Sequence, residues 1–322
     1  MNSADTVPQP PLPRCPLRGV GISLSCVVLS LLVSCGRTET TTPTKQETAK
    51  AGPSTAEAVV KLTVEEVLKD PALLHARLKK HNPTYDGKAL VAPDPDVGLI
   101  GEIGTSTVSD LAGLRGIPFG ALDLRGTRVT DISALAGMPL RLLGLEGTKV
   151  TDLKPLRGAP LIKLYLNHTP VTDLSPLADA PIQELMLVGA PVADLAPLRK
   201  MPLKLLWLNE TKVTDLTPIA GCPLLSLTLH RTQVSDLTPL ASMTTLQRLH
   251  IGETRVADLT PIAGLALKRL IFDPTTARGS LDSIRNMASL NELGTTLEGR
   301  TKPEQFWQLH GGDGSASRKK ED

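Results

Sequence analysis

Aromatic residues are scarce in this chain. Its 322 residues include two Trp, two Tyr and three Phe, so the interior has to be aliphatic, and any outward-facing aromatic ring is conspicuous. Charge of one sign is also missing. The formal net charge is +2, and no long basic run carries interleaved aromatics, which removes the usual footprint of a nucleic-acid partner. Cysteine is limited to Cys15, Cys26, Cys35 and Cys222, too few and too scattered for a disulfide framework. The longest apolar run, VGISLSCVVLSLLV over residues 20–33, falls short of the roughly 20 residues of a membrane-spanning helix. No HExxH, GxSxG or GxxxxGK[ST] phrase occurs, so zinc-hydrolase, serine-hydrolase and phosphate-loop chemistry have no carrier. We expect no cofactor, no metal and no enzymatic activity.

The apolar run follows Arg14 and Arg18 and ends in Leu32-Val33-Ser34-Cys35-Gly36. A basic stretch, a short apolar stretch and small residues before a cleavage point form the pattern of a secretory signal. The ending resembles the lipobox of bacterial lipoproteins, which implies that Cys35 becomes lipidated and that residues 1–35 are a lipoprotein signal peptide. An acyl anchor there would hold the chain to a membrane on the periplasmic or cell-surface side of the cell envelope. Residues 36–57 are rich in Thr, Ala, Lys and Glu and poor in large apolar groups, and are expected to form a flexible linker.

What is abundant is repetition. Asp110, Asp131, Asp152, Asp173, Asp194, Asp215 and Asp236 recur every 21 residues, and Asp258 follows after 22. A unit reads LxLxxTxVxDLxPLxxxPLxx. In LxL the leucines share one face of a short strand and the residue between them takes the other. Asp ahead of a Ser/Thr-Pro pair suits the start of a short helical turn, where proline is tolerated. One coil buries almost nothing alone, whereas stacked coils bury their leucines against one another. The expected architecture is an α/β solenoid, an arc with a parallel sheet on its concave side and short helical or 3-10 segments on its convex side.

The phrase VTDLSPL, at 171–177, is similar to the short leucine-rich repeats of internalin-type bacterial proteins. Two departures, Thr at the turn position (Thr127, Thr148, Thr169, Thr211, Thr232, Thr254, with Ala190 as exception) and a closing Pro-Leu, look more like the leucine-rich-repeat proteins of planctomycete-type bacteria. So do KKHNPTYDGK at 79–88, SIRNMASLNELG at 283–294 and PEQFWQLH at 303–310. The resemblance covers roughly residues 60–310 and implies a binding module without naming its ligand. The expected layout is an N-terminal helical cap region at 58–98, about eight leucine-rich repeats at 99–274, a C-terminal helical cap at 275–312 and a disordered tail at 313–322. Thr63-Val64-Glu65-Glu66 should open the first cap helix with a capping box, Asp70-Pro71 should restart it, and Phe306 and Trp307 should cover the last coil.

The strand phase assigns a concave row of Asp123, Gly144, Tyr165, Met186, Trp207, Thr228, His250 and Ile271. Tyr165, Met186 and Trp207 fall on consecutive coils, with Leu142, Val188 and Leu205 beside them and Lys163, Glu184, Asn167, Asn209 and His230 at the rim. Contiguous apolar patches with Tyr and Trp mark interaction sites. We therefore expect concave-face binding of a protein or peptide, with an envelope glycan or peptidoglycan as the alternative ligand. Self-association, or cover by the N-terminal segment, would also account for the patch. His230 and His250 lie on adjacent strands without an evident third metal ligand. The aspartate column reads as structural capping, since it contains no DxDxD cluster.

Overall fold

The computed structural model describes residues 61–310; the expected signal peptide, the Cys35 lipid site and the linker lie outside them, as does the tail. Eleven strands form one sheet in strict chain order. They are β1 (Leu90–Asp94), β2 (Gly98–Glu102), β3 (Phe119–Asp123), β4 (Leu142–Gly144), β5 (Lys163–Tyr165), β6 (Glu184–Met186), β7 (Leu205–Trp207), β8 (Ser226–Thr228), β9 (Arg248–His250), β10 (Arg269–Ile271) and β11 (Glu292–Gly294). From β2 onward neighbours are parallel, and Leu143, Leu164, Leu185, Leu206, Leu227, Leu249 and Leu270 lie in register. Each of these leucines is essentially inaccessible to solvent, so every coil completes the core of the next.

The repeated phrase supplies the corners. In each coil the aspartate carboxylate accepts the backbone N–H two residues on, from Asp110 to Ala112 through Asp258 to Thr260, at 2.7–2.8 Å. This side-chain turn satisfies a backbone donor that the following 3-10 turn leaves open. Six of these turns, such as Ser175–Leu177 and Thr217–Ile219, carry proline in their first positions. After each strand the chain reverses through a left-handed residue: Gly126, Gly147, His168, Gly189, Glu210, Arg231 or Glu253. The next residue is the column threonine, whose hydroxyl donates to the carbonyl three residues back at 2.7 Å in all six coils that carry it. The 22-residue coil takes up its extra residue before β9 without disturbing the register of β8 and β9.

The N-terminal cap begins as expected. Helix α1 (Val64–Lys69) opens with the Thr63–Glu66 capping box, and α2 (Pro71–His81) starts on Asp70. It lies so close to the first coil that a Cβ on Gly113 would stand 2.6 Å from the Arg77 carbonyl. Asn82, 3% exposed, clamps the two together. Its Oδ1 accepts the N–H groups of Ser109 and Asp110, and its Nδ2 donates to the carbonyls of Leu78 and Asp110. Neither cap is wholly helical. The first includes β1, which pairs antiparallel with β2. The second contains only a five-residue α3 (Leu281–Arg285), then β11, then α4 (Pro303–His310). The reason is physical: the open sheet edges still need backbone partners, so β1 closes one end, while Leu293 of β11 bonds back to Thr301 at the other. Phe306 packs on Phe272 with ring centroids 5.5 Å apart, and Trp307 lies edge-on to Phe306 beneath the Arg285 guanidinium. Among the described residues no helix is long and apolar enough to cross a membrane.

Candidate functional site on the concave face

The concave row has the phase read from sequence: Asp123, Gly144, Tyr165, Met186, Trp207, Thr228, His250 and Ile271 are successive register partners. Its two halves differ in how far they satisfy themselves. At the N-terminal end Arg125 bonds Asp123 at 2.6 Å and approaches Glu146 at 3.6 Å, and Glu146 accepts from Asn167. Burial raises the Glu146 carboxyl above the usual range, against the opposing pull of the Asn167 amide and the Arg125 charge. On the next coils Lys163 and Glu184 pair at 2.8 Å, and the Tyr165 hydroxyl donates to Glu184 at 3.3 Å.

These contacts involve several of the residues singled out from sequence. Tyr165 lies in the concave row yet is only 4% exposed, with its hydroxyl bonded to Glu184. Its body is therefore not a platform beside Trp207. Asn167 is buried and committed, with its Oδ1 accepting the Val188 N–H at 2.9 Å. Asn209 repeats that role toward the His230 N–H at 3.1 Å. Met186, Val188, Lys163 and Glu184 are half-buried, and the last two neutralise each other.

The C-terminal half is open. A cavity of about 350 Å³ is lined by Leu205, Trp207, Asn209, Thr228, Arg248, His250, Arg269, Ile271 and Leu297, among others. Of the sequence candidates, Leu205, Trp207 and Asn209 line it. Trp207 is half-buried, with its outward orientation set by the core leucines Leu206 and Leu208 on either side. Leu297 comes from residues 295–300, the turn joining β11 to Thr301, and is 40% exposed. The Thr295 carbonyl of that turn would stand 3.4 Å from a Cβ on Gly252, so the turn reaches over the last concave coils and closes the cavity at that end.

His250 sits within this cavity wall. It is 5% exposed, and neither ring nitrogen meets a hydrogen-bond partner among the described residues; the same holds for the Thr228 hydroxyl. His230 stacks on His250 with centroids 4.9 Å apart, and its Nδ1 lies 3.1 Å from the Gly252 carbonyl. Burial, with the neighbouring His230 adding to it and Glu253 opposing, lowers the His250 pKa from 6.5 to about 4. At neutral pH the ring is therefore uncharged, offering one donor and one acceptor. The stacked pair lacks a third ligand: no group of three His, Cys, Asp or Glu able to hold a metal exists among the described residues. Cys222, the one described cysteine, is buried, and burial raises its thiol above the ordinary value. Sequence reading placed Thr228, His250 and Ile271 in the concave row but passed over them for the rings further along. Nothing in the repeat could have flagged Leu297.

No family model matches the chain, and no curated protein matches it. Solved structures do. An internalin (inlF) from Listeria monocytogenes is 27% identical, with 74% of this chain and 72% of that one covered and a TM-score of 0.56. Internalin C2 from the same organism is 25% identical, with coverage of 74% and 99% and a TM-score of 0.49. A leucine-rich-repeat protein of Leptospira interrogans is 20% identical, with coverage of 62% and 48% and a TM-score of 0.43. The fold is a leucine-rich-repeat solenoid. The likeness agrees with the internalin-type resemblance of the VTDLSPL phrase.

Proposed function

We propose that this chain is a non-enzymatic module that binds a protein or peptide in the C-terminal half of its concave face. One observation carries the reading: the cavity at Trp207 groups the half-buried Trp207 and Leu205 and the exposed Leu297 with the polar side chains of Asn209 and Arg248. Apolar surface grouped around a tryptophan marks an interaction site. The shared fold with an internalin supports an interaction role over a catalytic one. Peptide is favoured over glycan because Tyr165 is buried, which leaves Trp207 as a single ring where a sugar would stack on two. No nucleic-acid partner is expected from the near-neutral charge.

The test is a displayed peptide library selected on the full chain, followed by calorimetry of the enriched peptides. Removing a central aromatic anchor costs on the order of 2–4 kcal/mol, so Trp207→Ala should raise Kd by about 30-fold or more at unchanged Tm. Enriched peptides that bind the variant as well as the parent would refute the site. Envelope tethering through acylated Cys35 belongs to the same proposal. Intact-mass measurement of membrane-extracted protein should show an acylated Cys35 as first residue, and an unmodified cysteine there would sink it.

A further inference from the structure

The cavity has a composition more specific than "apolar groove". Its lining includes no carboxylate and two arginines, Arg248 and Arg269. Arg269 is already bonded to Glu292, which Arg300 also approaches at 3.6 Å. Arg248 is exposed and has no ion-pair partner among the described residues. It stands in the strand of His250 and is the register partner of Ser226 on the neighbouring strand. Local charge is therefore positive, with one guanidinium uncommitted. The Asn209 amide adds donors, since only its Oδ1 is used, toward the His230 N–H. Amide and guanidinium donors beside an apolar trough of net positive charge fit a carboxylate attached to an apolar body, and charge-assisted bonds from arginine to carboxylate are the strong ones.

The shape narrows the source of that carboxylate. Residues 295–300 overhang the last concave coils, so a chain lying along the sheet from the Trp207 side meets Leu297 and has to stop. An internal Asp or Glu would need the chain to continue through that wall. We infer that the cavity is a docking site for the carboxyl-terminal residue of a partner polypeptide. The terminal apolar side chain rests against Trp207 and Leu297, and the terminal carboxylate lies toward Arg248 and the Asn209 amide. This rests on the concave-face reading above and goes beyond it by naming which part of a partner is recognised.

The experiment presents the full chain to two matched arrays of hexapeptides immobilised through their N-termini, one with free C-terminal carboxylates and one with C-terminal amides. Expected are hits confined to the carboxylate array and ending in Leu, Ile, Met or Phe. Arg248→Gln, at an exposed position where folding is not at stake, should weaken them at least tenfold, and high salt should weaken them too. Equal hits on both arrays, or hits indifferent to Arg248→Gln, overturn the inference. If such amide-tolerant hits are still lost with Trp207→Ala, the concave-face reading stands without it. If they survive Trp207→Ala, that reading falls as well. No hits on either array overturns both.

Discussion

The threonine column offers a stability prediction that the protein has half performed itself. In six coils Thr127, Thr148, Thr169, Thr211, Thr232 or Thr254 donates its hydroxyl to the carbonyl three residues earlier. In the seventh the residue is Ala190, fully buried, with its backbone N–H still bonded to the Leu187 carbonyl at 3.0 Å. The turn forms without the hydroxyl, so the hydroxyl adds to a geometry already made. Ala190→Thr should supply one hydrogen bond, about 1 kcal/mol net, and bury one further methyl, about 0.8 kcal/mol. Ordering the side chain subtracts a fraction of a kcal/mol. The expected gain is about 1–1.5 kcal/mol, or about 3–5 °C in Tm for a folded unit of this size. The following residue does not discriminate between coils, because proline follows both Thr169 and Ala190. Thr211→Val is the complement: it keeps a methyl and loses the hydroxyl, and should cost about 1 kcal/mol. Thermal unfolding followed by circular dichroism, with urea midpoints as a second measure, reads both. If Ala190→Thr lowers Tm while Thr211→Val is neutral, the hydroxyl is not what holds the corner.

Two further predictions concern the cap and the cavity. Asn82→Leu removes four hydrogen bonds at the junction of α2 and the first coil and leaves the part-buried Ser109 and Asp110 N–H groups without that partner; a loss of about 2 kcal/mol is expected, with amide exchange accelerating first in α2, and a urea midpoint equal to the parent's would refute the clamp. His250 is held at about 4 in the folded chain, below its ordinary 6.5 when unfolded, so the unfolded state binds the proton first and stability falls as pH drops from about 6.5 toward 4. The displacement corresponds to about 3 kcal/mol at most; His250→Phe should flatten that slope, and an unchanged slope would place its origin elsewhere.

Much of the fold was legible because a repeat averages its own noise. Eight aspartates at fixed spacing located every corner, and the LxL phase gave the concave register down to individual residues. The caps were less legible, since they occur once. Period and capping rules found α1 and α2, but β1 and β11 owe their existence to unpaired sheet edges, a tertiary requirement with no local signature. The site was legible in direction more than in content. Trp207 points outward because Leu206 and Leu208 point inward. That Tyr165 would be covered depends on how Glu184 and the adjacent coils close over it, which strand phase does not encode.

The placement of the cavity follows from the same logic. In an array of near-identical coils every concave position has equivalents, so self-pairing arrangements such as Lys163 with Glu184 can recur wherever residue types permit. A site that recognises one ligand in one register needs a place where translation along the array is broken. Here it breaks at the C-terminal end, where residues 295–300 turn back toward the sheet and bring Leu297 into the lining of the cavity with Trp207. The hairpin that shields the last strand thus also walls the pocket. It follows that shortening the 295–300 turn to remove Leu297, while retaining the Leu293–Thr301 pairing, should leave the solenoid folded and abolish carboxyl-terminal selectivity. An unchanged preference for free carboxylates in that variant would show that Arg248 and Asn209 suffice without the wall.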